Sequence, residues 1–143
     1  MATLRIFRGN PGAAKSTSAK MMFPGTLLVE NDQFLISDDE YKWSPERRDK
    51  AINLCINFVK TALANNNDVV VANTFTKRKY VDVYKMIAED FGAKFEVYRC
   101  TGNFKNVHGL SDEMVQKFKD AMEDYPGEII VKPVDMTNLN DSV

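Results

Sequence analysis

A run of nine residues near the start of the chain has the composition and spacing of a phosphate-binding loop. It reads Gly9-Asn10-Pro11-Gly12-Ala13-Ala14-Lys15-Ser16-Thr17 and matches the pattern G-x-x-x-x-G-K-[ST] at every fixed position except the sixth. In such loops the backbone N–H groups surround the phosphates of a nucleotide, the lysine reaches the β- and γ-phosphate oxygens, and the serine hydroxyl is a ligand of Mg²⁺. The run therefore predicts ATP and Mg²⁺ as cofactors, with Lys15 as a catalytic residue and Ser16 as the metal ligand.

Ala14 stands at the sixth position, where the pattern has glycine. If that position must adopt a conformation reserved for glycine, alanine costs about 1–2 kcal/mol there and pushes the loop away from the nucleotide, which weakens binding. The alternative interpretation is a Gly- and Pro-rich turn that merely starts a helix, but such a turn does not account for the sequence Lys15-Ser16-Thr17. We therefore expect a phosphate-binding loop whose competence depends on Ala14.

Acidic residues follow the second apolar segment of the chain, which ends in Glu30-Asn31-Asp32. Neighbouring strands of a parallel sheet end on the same side, so Asp32 is expected to face the γ-phosphate and to act as the base for a hydroxyl acceptor. The alternative is that Asp32 or Asn31 caps a turn. Glu30 is expected to lie within the strand, where the pleat fixes the direction of its side chain, and so to be the poorer base.

Three cations, Lys77-Arg78-Lys79, open a predicted helix, where they oppose the helix macrodipole. A phosphate-bearing substrate lying across this edge would explain them, which makes Arg78 a candidate substrate-binding residue. A solvated basic turn is the commoner explanation of such a run and stays open.

Alternating strands and helices are predicted to position these residues. The strands are Leu4–Phe7, Thr26–Glu30, Asp68–Ala72, Lys94–Tyr98 and Glu128–Val131, and the helices are Lys15–Met22, about 44–66, Lys77–Phe91 and one that begins near Ser111. This order implies right-handed crossovers between parallel strands, with ligands at the carboxyl ends of the strands. We therefore expect an α/β protein with the three-layer α/β/α P-loop NTPase fold and a mostly parallel sheet of four or five strands.

The second helix carries the clearest local signals. Ser44-Pro45-Glu46-Arg47 offers an N-cap, a proline at the first helical position and an acid in the first turn. Its apolar residues recur at three- and four-residue steps, which predicts one buried face made of Ala51, Leu54, Cys55, Phe58, Val59 and Ala62. The next apolar run, up to Ala72, is continuous and β-branched, which predicts a strand buried on both faces.

Length and charge limit the class of protein. A chain of 143 residues is long enough for one domain, and residues 134–143 form a polar tail that we expect to be frayed. The net charge of −1 gives no overall attraction to polyanions, although a local basic groove remains compatible with it. The two cysteines lack C-x-x-C spacing, and no apolar run is long enough to cross a bilayer. These features predict reduced thiols in a cytoplasmic protein.

Four segments carry a resemblance to a known family: Gly9–Thr17, Glu30-Asn31-Asp32 with Tyr41 beyond it, 69–76, and 106–110. From Leu4 to Pro126 the chain resembles the small P-loop kinases related to phage polynucleotide kinase and to the kinase-like domains of some ubiquitin-ligase-binding proteins. The resemblance implies an AAA-type ATP-binding domain of phage or bacterial source.

The resemblance also implies further site residues. In such kinases the segment after the third strand helps to hold the acceptor, which implies substrate contacts for Asn73 and Thr74, while Ala72 occupies the place of an acid. A lid that closes over the phosphates corresponds to 101–109 and carries no arginine here. Its available hydrogen-bond donors are Asn103, Lys105, Asn106 and His108.

Together these features predict an ATP-dependent phosphotransferase that moves the γ-phosphate to a hydroxyl of a nucleoside, a nucleotide or a polynucleotide end. The predicted partners are a small nucleotide and a nucleic-acid end. Two alternatives stay open, because Ala14, Ala72 and the absence of a lid arginine all weaken the case for transfer. These are a nucleotide-binding module without phosphotransfer and an ATPase that uses water.

Overall fold

A computed structural model describes residues 1–37, 40–102 and 110–132 of the chain. The predicted lid residues Asn103, Lys105, Asn106 and His108 and the predicted tail 134–143 lie outside these ranges. In chain order the elements are β1 (Thr3–Arg8), α1 (Lys15–Met22), β2 (Leu27–Val29), a 3₁₀ helix (Asn31–Leu35), β3 (Ile36–Ser37), β4 (Glu40–Tyr41), α2 (Pro45–Ala64), β5 (Val69–Ala72), α3 (Arg78–Asp90), β6 (Lys94–Cys100), α4 (Asp112–Ala121) and β7 (Ile129–Val131).

The main sheet has five strands in the order β2-β5-β1-β6-β7, and every neighbouring pair is parallel. β1 lies at the centre, where Phe7 is level with Ala72 of β5 and with Tyr98 of β6. The predicted parallel sheet of four or five strands is therefore confirmed. The loops that follow β1, β2 and β5 leave the sheet at one edge.

Both faces of the sheet are covered by helices. Val69 and Val71 of β5 pack with buried residues of α2 and α3, whereas Val70 and Ala72 of the same strand pack with Ala19 of α1 on the other face. All four residues of β5 are buried, as the continuous apolar run predicts. The three-layer α/β/α architecture follows from this division.

Serine side chains cap two of the helices. The Ser44 hydroxyl accepts a hydrogen bond from the Arg47 N–H at 3.1 Å, with Pro45 as the first residue of α2. At α4 the Ser111 hydroxyl accepts from the Met114 N–H at 3.2 Å. Both predicted starts are confirmed, and each cap satisfies a donor that has no partner within its helix.

The predicted buried face of α2 is wrong at two positions. Leu54 is 39% exposed and Phe58 is 38% exposed, while the buried residues are Ala51, Cys55, Val59, Ala62 and Leu63. The buried residues follow steps of three and four along one line of the helix, and Leu54 and Phe58 each lie one position to the side of that line. The stripe that contacts the sheet is narrower than the apolar pattern of the sequence.

The segment after β2 also differs from expectation. β2 ends at Val29, so Glu30 lies outside the strand, and a 3₁₀ helix with a two-stranded hairpin follows it. After Val29 the backbone N–H groups donate to side chains and not to a neighbouring strand. The Glu30 N–H donates to Gln33 Oε1 at 2.6 Å, and the Asn31 N–H donates to Asn73 Oδ1 at 2.9 Å. The backbone can therefore leave the sheet one residue earlier than the apolar pattern predicts.

None of the helices in the described ranges combines the length and the apolar character that a membrane crossing requires.

We expect Leu4→Ala and Leu54→Ala to differ sharply in their effect on stability. Leu4 is fully buried in β1, so its truncation leaves a cavity and lowers the free energy of unfolding by about 3 kcal/mol. Leu54 is substantially exposed, so the same truncation costs under about 1 kcal/mol. Urea unfolding of both variants measures the difference, and equal losses would show that Leu54 belongs to the core after all.

Candidate active site

The phosphate-binding loop connects the end of β1 to the start of α1. Its first N–H, of Gly9, donates to the Thr74 carbonyl at 3.3 Å, and the Ala13 N–H donates to the Asn10 carbonyl at 3.1 Å. A Cβ at Gly9 would lie 2.6 Å from the carbonyl oxygen of Cys100, which is closer than any side chain tolerates. Glycine is therefore required at the first position of the loop because the backbone of β6 passes directly against it.

Ala14 adopts the left-handed conformation, with φ 62° and ψ 41°, immediately before α1. The sixth position of the loop therefore has a backbone conformation that glycine adopts without strain. A residue with a Cβ is strained in this region by about 1–2 kcal/mol. The loop keeps the conformation that the glycine pattern specifies, at the expense of stability.

The N-terminus of α1 differs from those of α2 and α4 because no side chain caps it. The first turn, which contains Lys15, Ser16 and Thr17, also contains no acid. The first N–H groups of any helix have no intrahelical partner, and the helix dipole makes this end electropositive. An anion such as a phosphate fits this terminus, since it would supply the acceptors that the chain itself does not provide.

Lys15 reaches back over the loop that precedes it. Its Nζ donates to the Gly9 carbonyl at 3.0 Å and to the Asn10 carbonyl at 3.2 Å. Burial lowers the pKa of Lys15 below its ordinary value, and nearby Cys100, Glu30 and Asp32 partly offset that shift. The ammonium group is therefore poorly solvated, and a negatively charged ligand would replace the missing solvation.

The groups that act on the Lys15 ammonium are the Cys100 thiol and the carboxyl groups of Glu30 and Asp32. Burial raises the pKa of the Cys100 thiol to about 11, so this group is uncharged near pH 7. Asp32, in the first turn of the 3₁₀ helix, and Glu30, just before it, are both close enough to act on the ammonium. The structure thus brings the predicted base beside the predicted phosphate loop, together with Glu30, which the sequence had placed in the strand.

The residues after β5 contact both of these loops. Asn73 accepts the Asn31 N–H through Oδ1 at 2.9 Å, and its own N–H donates to the Phe7 carbonyl at 3.2 Å. Its Nδ2, like Asn31 Oδ1, is buried and has no hydrogen-bond partner among the described residues. The carbonyl of Thr74 holds Gly9. Substrate contacts by Asn73 and Thr74 stay predictions, and the Asn73 side chain also lies against the buried Cys55 thiol.

Arg78 is engaged elsewhere. Its Nε donates to the Asp124 carbonyl at 2.6 Å and its backbone N–H donates to Glu123 Oε1 at 2.8 Å. These bonds join the start of α3 to the segment after α4. The Asp124 carbonyl receives one guanidinium N–H of Arg78. The predicted substrate contact therefore depends on the other N–H groups of the guanidinium.

Arg8 is a neighbour of the site that sequence reasoning did not single out. It is the last residue of β1 and is fully buried, directly before Gly9. The alternation of side chains along a strand could have revealed its burial. Arg8 lies on the same face of β1 as Leu4 and Ile6, which both belong to the core.

The donors at the site suit a magnesium nucleotide. Within the part of the chain that the structure describes, no group of three or more His, Cys, Asp or Glu side chains could hold a metal ion by itself. Mg²⁺ typically takes few protein ligands and keeps phosphate and water oxygens in its shell. A hydroxyl at Ser16 and carboxylates at Glu30 and Asp32 are consistent with that kind of site.

Comparison with protein families gives one match that covers most of the chain. The family is described as AAA domain, and it matches residues 4–102. The chain belongs to the AAA domain family. An uncharacterised protein of Pasteurella multocida (strain Pm70) is 31% identical over 152 residues, which cover 94% of this chain and 85% of that protein.

Solved structures share the fold of this AAA domain protein. A sugar kinase from Janibacter sp. HTCC2649 covers 92% of this chain and 86% of its own, with a TM-score of 0.64 and 15% identity. The APS kinase CysC of Mycobacterium tuberculosis, in complex with AMPPNP and APS, is similar over 99% of this chain and 94% of its own, with a TM-score of 0.60 and 13% identity. A chain of the Pnkp1/Rnl/Hen1 RNA repair complex is similar over 88% of this chain and 40% of its own, with a TM-score of 0.61 and 19% identity. The family match confirms the predicted AAA-type domain, and these structures confirm the predicted fold class, which the chain shares with small P-loop kinases.

We expect Ala14→Gly to stabilise this AAA domain protein. Glycine removes the left-handed strain, and part of the gain is offset by the greater entropy of glycine in the unfolded chain. The expected net gain in the free energy of unfolding is about 0.5–1 kcal/mol, measured by urea denaturation. Ala13→Gly is the matched control, because Ala13 is buried and lies outside the left-handed region, so glycine there lowers stability. A loss of stability in Ala14→Gly would contradict the assigned strain.

Proposed function

We propose that this protein is a phosphotransferase that moves the γ-phosphoryl group of ATP·Mg²⁺ to a hydroxyl acceptor. The observation that carries the proposal is the joint position of Lys15 and Asp32, on two different loops, beside the uncapped start of α1. An anion site alone would need only the helix terminus and the lysine. A carboxylate at the same place adds a group that can accept a proton.

The loop and Lys15 bind the phosphates in this proposal. The N–H groups of the first turn of α1 donate to phosphate oxygens, and the Lys15 ammonium leaves the carbonyls of Gly9 and Asn10 to reach the γ-phosphate. ATP·Mg²⁺ supplies the transferable phosphoryl group and the divalent charge that neutralises its oxygens. Ser16 holds the metal through its hydroxyl. Because the ammonium is already poorly solvated, its charge acts strongly on a bound phosphate.

Asp32 is the proposed base. It would orient the acceptor hydroxyl toward the γ-phosphate and take its proton as the new phosphorus–oxygen bond forms, while the bond from the γ-phosphorus to the β,γ-bridging oxygen breaks and ADP leaves. Glu30, one residue outside β2, lies in the same neighbourhood of Lys15, and we propose that it contacts the water shell of the metal. Each of the two acids has a separate task in this assignment.

The proposed acceptor is a nucleoside, a nucleotide or a polynucleotide end. The resemblance to phage polynucleotide kinase supports this class, and among the proteins of similar fold one belongs to an RNA repair complex. Asn73, Thr74 and Arg78 are the proposed acceptor contacts, with Asn103, Lys105, Asn106 and His108 as the proposed lid. The proposed location is the cytoplasm, where free cysteines such as Cys55 and Cys100 are common.

A nucleotide-binding module without transfer is the second candidate. The strained backbone at Ala14 favours it, because a loop under strain can hold a nucleotide and still place the γ-phosphate badly for reaction. Ala72, which lacks the acid of related kinases, points the same way. The two candidates differ in turnover and not in nucleotide affinity.

Transfer of labelled γ-phosphate from ATP to a panel of acceptors tests the proposal. The panel should hold nucleosides, nucleotides and RNA and DNA oligomers with a free 5′-hydroxyl. We expect transfer to at least one acceptor, and Asp32→Asn should lower its rate about 100-fold while the affinity for ATP stays within threefold. Asp49→Asn is the matched control, since Asp49 is an exposed aspartate on α2.

Three results would separate the candidates. Transfer that Asp32→Asn leaves intact would remove the base assignment. Nucleotide binding without transfer, in both the natural chain and Ala14→Gly, would favour the binding module. Phosphate release from ATP that no acceptor increases would indicate an ATPase.

Ser16→Ala tests the metal assignment by calorimetry with a non-hydrolysable ATP analogue. With Mg²⁺ present, the variant should bind the analogue about tenfold more weakly than the natural chain, because a metal ligand is lost. In EDTA the two should bind alike. Ser18→Ala is the control, since Ser18 is a buried serine of the same helix to which we assign no contact with the metal. Equal loss in both solutions would place Ser16 outside the metal shell.

A further inference from the structure

A fully buried arginine lies at the junction between β1 and the phosphate-binding loop. Arg8 has no exposed surface, and its charge is paired with Glu128, whose side chain is 7% exposed, through a 2.7 Å contact from Nη1 to Oε1. A buried ion pair of this kind adds little to stability compared with apolar residues of similar size. Stability alone therefore does not explain why a buried ion pair lies beside the site.

The other donors of Arg8 converge on one backbone carbonyl. Nε and Nη2 both donate to the Phe75 carbonyl, at 3.1 Å and 2.7 Å, and Nη2 also donates to the Glu123 carbonyl at 2.7 Å. A planar guanidinium with two donors on one oxygen fixes the orientation of the peptide that carries it. Lysine could not reproduce that geometry with a single ammonium group.

Phe75 occupies a backbone conformation that an aromatic residue rarely adopts. Its φ is 46°, in the left-handed region, while its side chain is buried and meets the Tyr84 ring edge-on at 5.5 Å between centroids. Such a residue persists only where its surroundings hold it. The two hydrogen bonds from Arg8 to its carbonyl are contacts of that kind.

The two residues before Phe75 hold both loops of the site. The Thr74 carbonyl accepts the Gly9 N–H, and Asn73 Oδ1 accepts the Asn31 N–H, one residue before Asp32. A change in the backbone at Phe75 would therefore shift the phosphate-binding loop and the acid loop relative to each other.

We propose that Arg8 is a positioning residue for phosphoryl transfer. Through the Phe75 carbonyl it holds segment 73–75 in the conformation that bonds the phosphate-binding loop at Gly9 and the acid loop at Asn31, and so fixes Lys15 and Asp32 relative to each other. Glu128 pairs with the guanidinium and orients it, which links the segment before β7 to the geometry of the site. This assignment rests on the proposed function and adds to it a residue that touches neither nucleotide nor acceptor.

The test removes the fork of donors without leaving a buried charge unpaired. Arg8→Met combined with Glu128→Gln deletes both charges and still offers an acceptor to the Tyr125 N–H, which now donates to Glu128 Oε2 at 3.0 Å. Arg99→Gln is the matched control. Arg99 also contacts Glu128, at 3.3 Å, and ion-pairs with Asp124, but its hydrogen bonds do not reach Phe75.

Two readouts are measured on each variant. We expect the double variant to lose at least tenfold in kcat, with the KM for ATP within threefold, while Arg99→Gln keeps kcat within twofold. By hydrogen exchange, the Gly9 and Asn31 amides of the double variant should exchange at least tenfold faster. The Ala93 amide, which donates to the Ala88 carbonyl at 2.8 Å at the other end of the sheet, should be unchanged.

The two readouts distinguish an error in the role assigned to Arg8 from an error in the proposed function. A folded double variant with unchanged kcat and unchanged Gly9 and Asn31 exchange would overturn the assignment, and so would equal acceleration of all three amides, which marks a loss of overall stability. If the double variant does not fold, Arg8→Lys is measured in the same way, and wild-type values in both readouts would overturn it. A natural chain that transfers no phosphate refutes the proposed function, while the exchange of Gly9 and Asn31 still tests Arg8.

Discussion

The parallel register of β1 between β5 and β6 is the constraint on which the site depends. Because Phe7 is level with both Ala72 and Tyr98, the chain leaves the central strand and β5 at the same height. The backbone groups just beyond the last ladder bonds then become each other's partners, as Asn73 does with Phe7 and Thr74 with Gly9. Two segments about sixty residues apart in sequence are thus fixed to one another by main-chain hydrogen bonds, which depend little on side-chain identity.

Conformational strain is concentrated around this junction. Among the described residues, three with a side chain have a left-handed backbone: Ala14, Asn66 and Phe75. Asn66 follows α2, at a helix end where asparagine is well tolerated, and needs no special account. Ala14 and Phe75, by contrast, lie in the phosphate-binding loop and beside it. The surrounding structure holds both, which is how strained residues at functional sites persist.

The parts of the fold that were predictable are those that short-range physics decides. The loop motif, the caps at Ser44 and Ser111 and the buried strand β5 all depend on residues within a few positions of one another. The end of β2 was not predictable in this way. Asn73 takes the Asn31 N–H from outside the sheet, and such a partner is invisible until the strand order is known.

The site shows the same division. The sequence locates Lys15 and Asp32, but it cannot show that a residue as polar as Arg8 is fully buried, because its partner Glu128 is 120 residues away. Leu54 and Phe58 show the opposite error, since apolar residues on the flank of a buried stripe are common at the surface. In both cases tertiary packing overrides the local preference.

Ala72 has a structural consequence that goes beyond a missing acid. It is 2% exposed and lies in the apolar cluster of Phe7, Tyr98 and Cys100, on the face of the sheet that α1 covers. A carboxylate at that position would be largely removed from water, which disfavours its charged form where no cation pairs with it. Because β5 ends in an alanine, the carboxylates that act on Lys15 are those of Glu30 and Asp32. In the proposed function the base comes from the loop after β2, and the Asn73 side chain holds that loop through the Asn31 N–H.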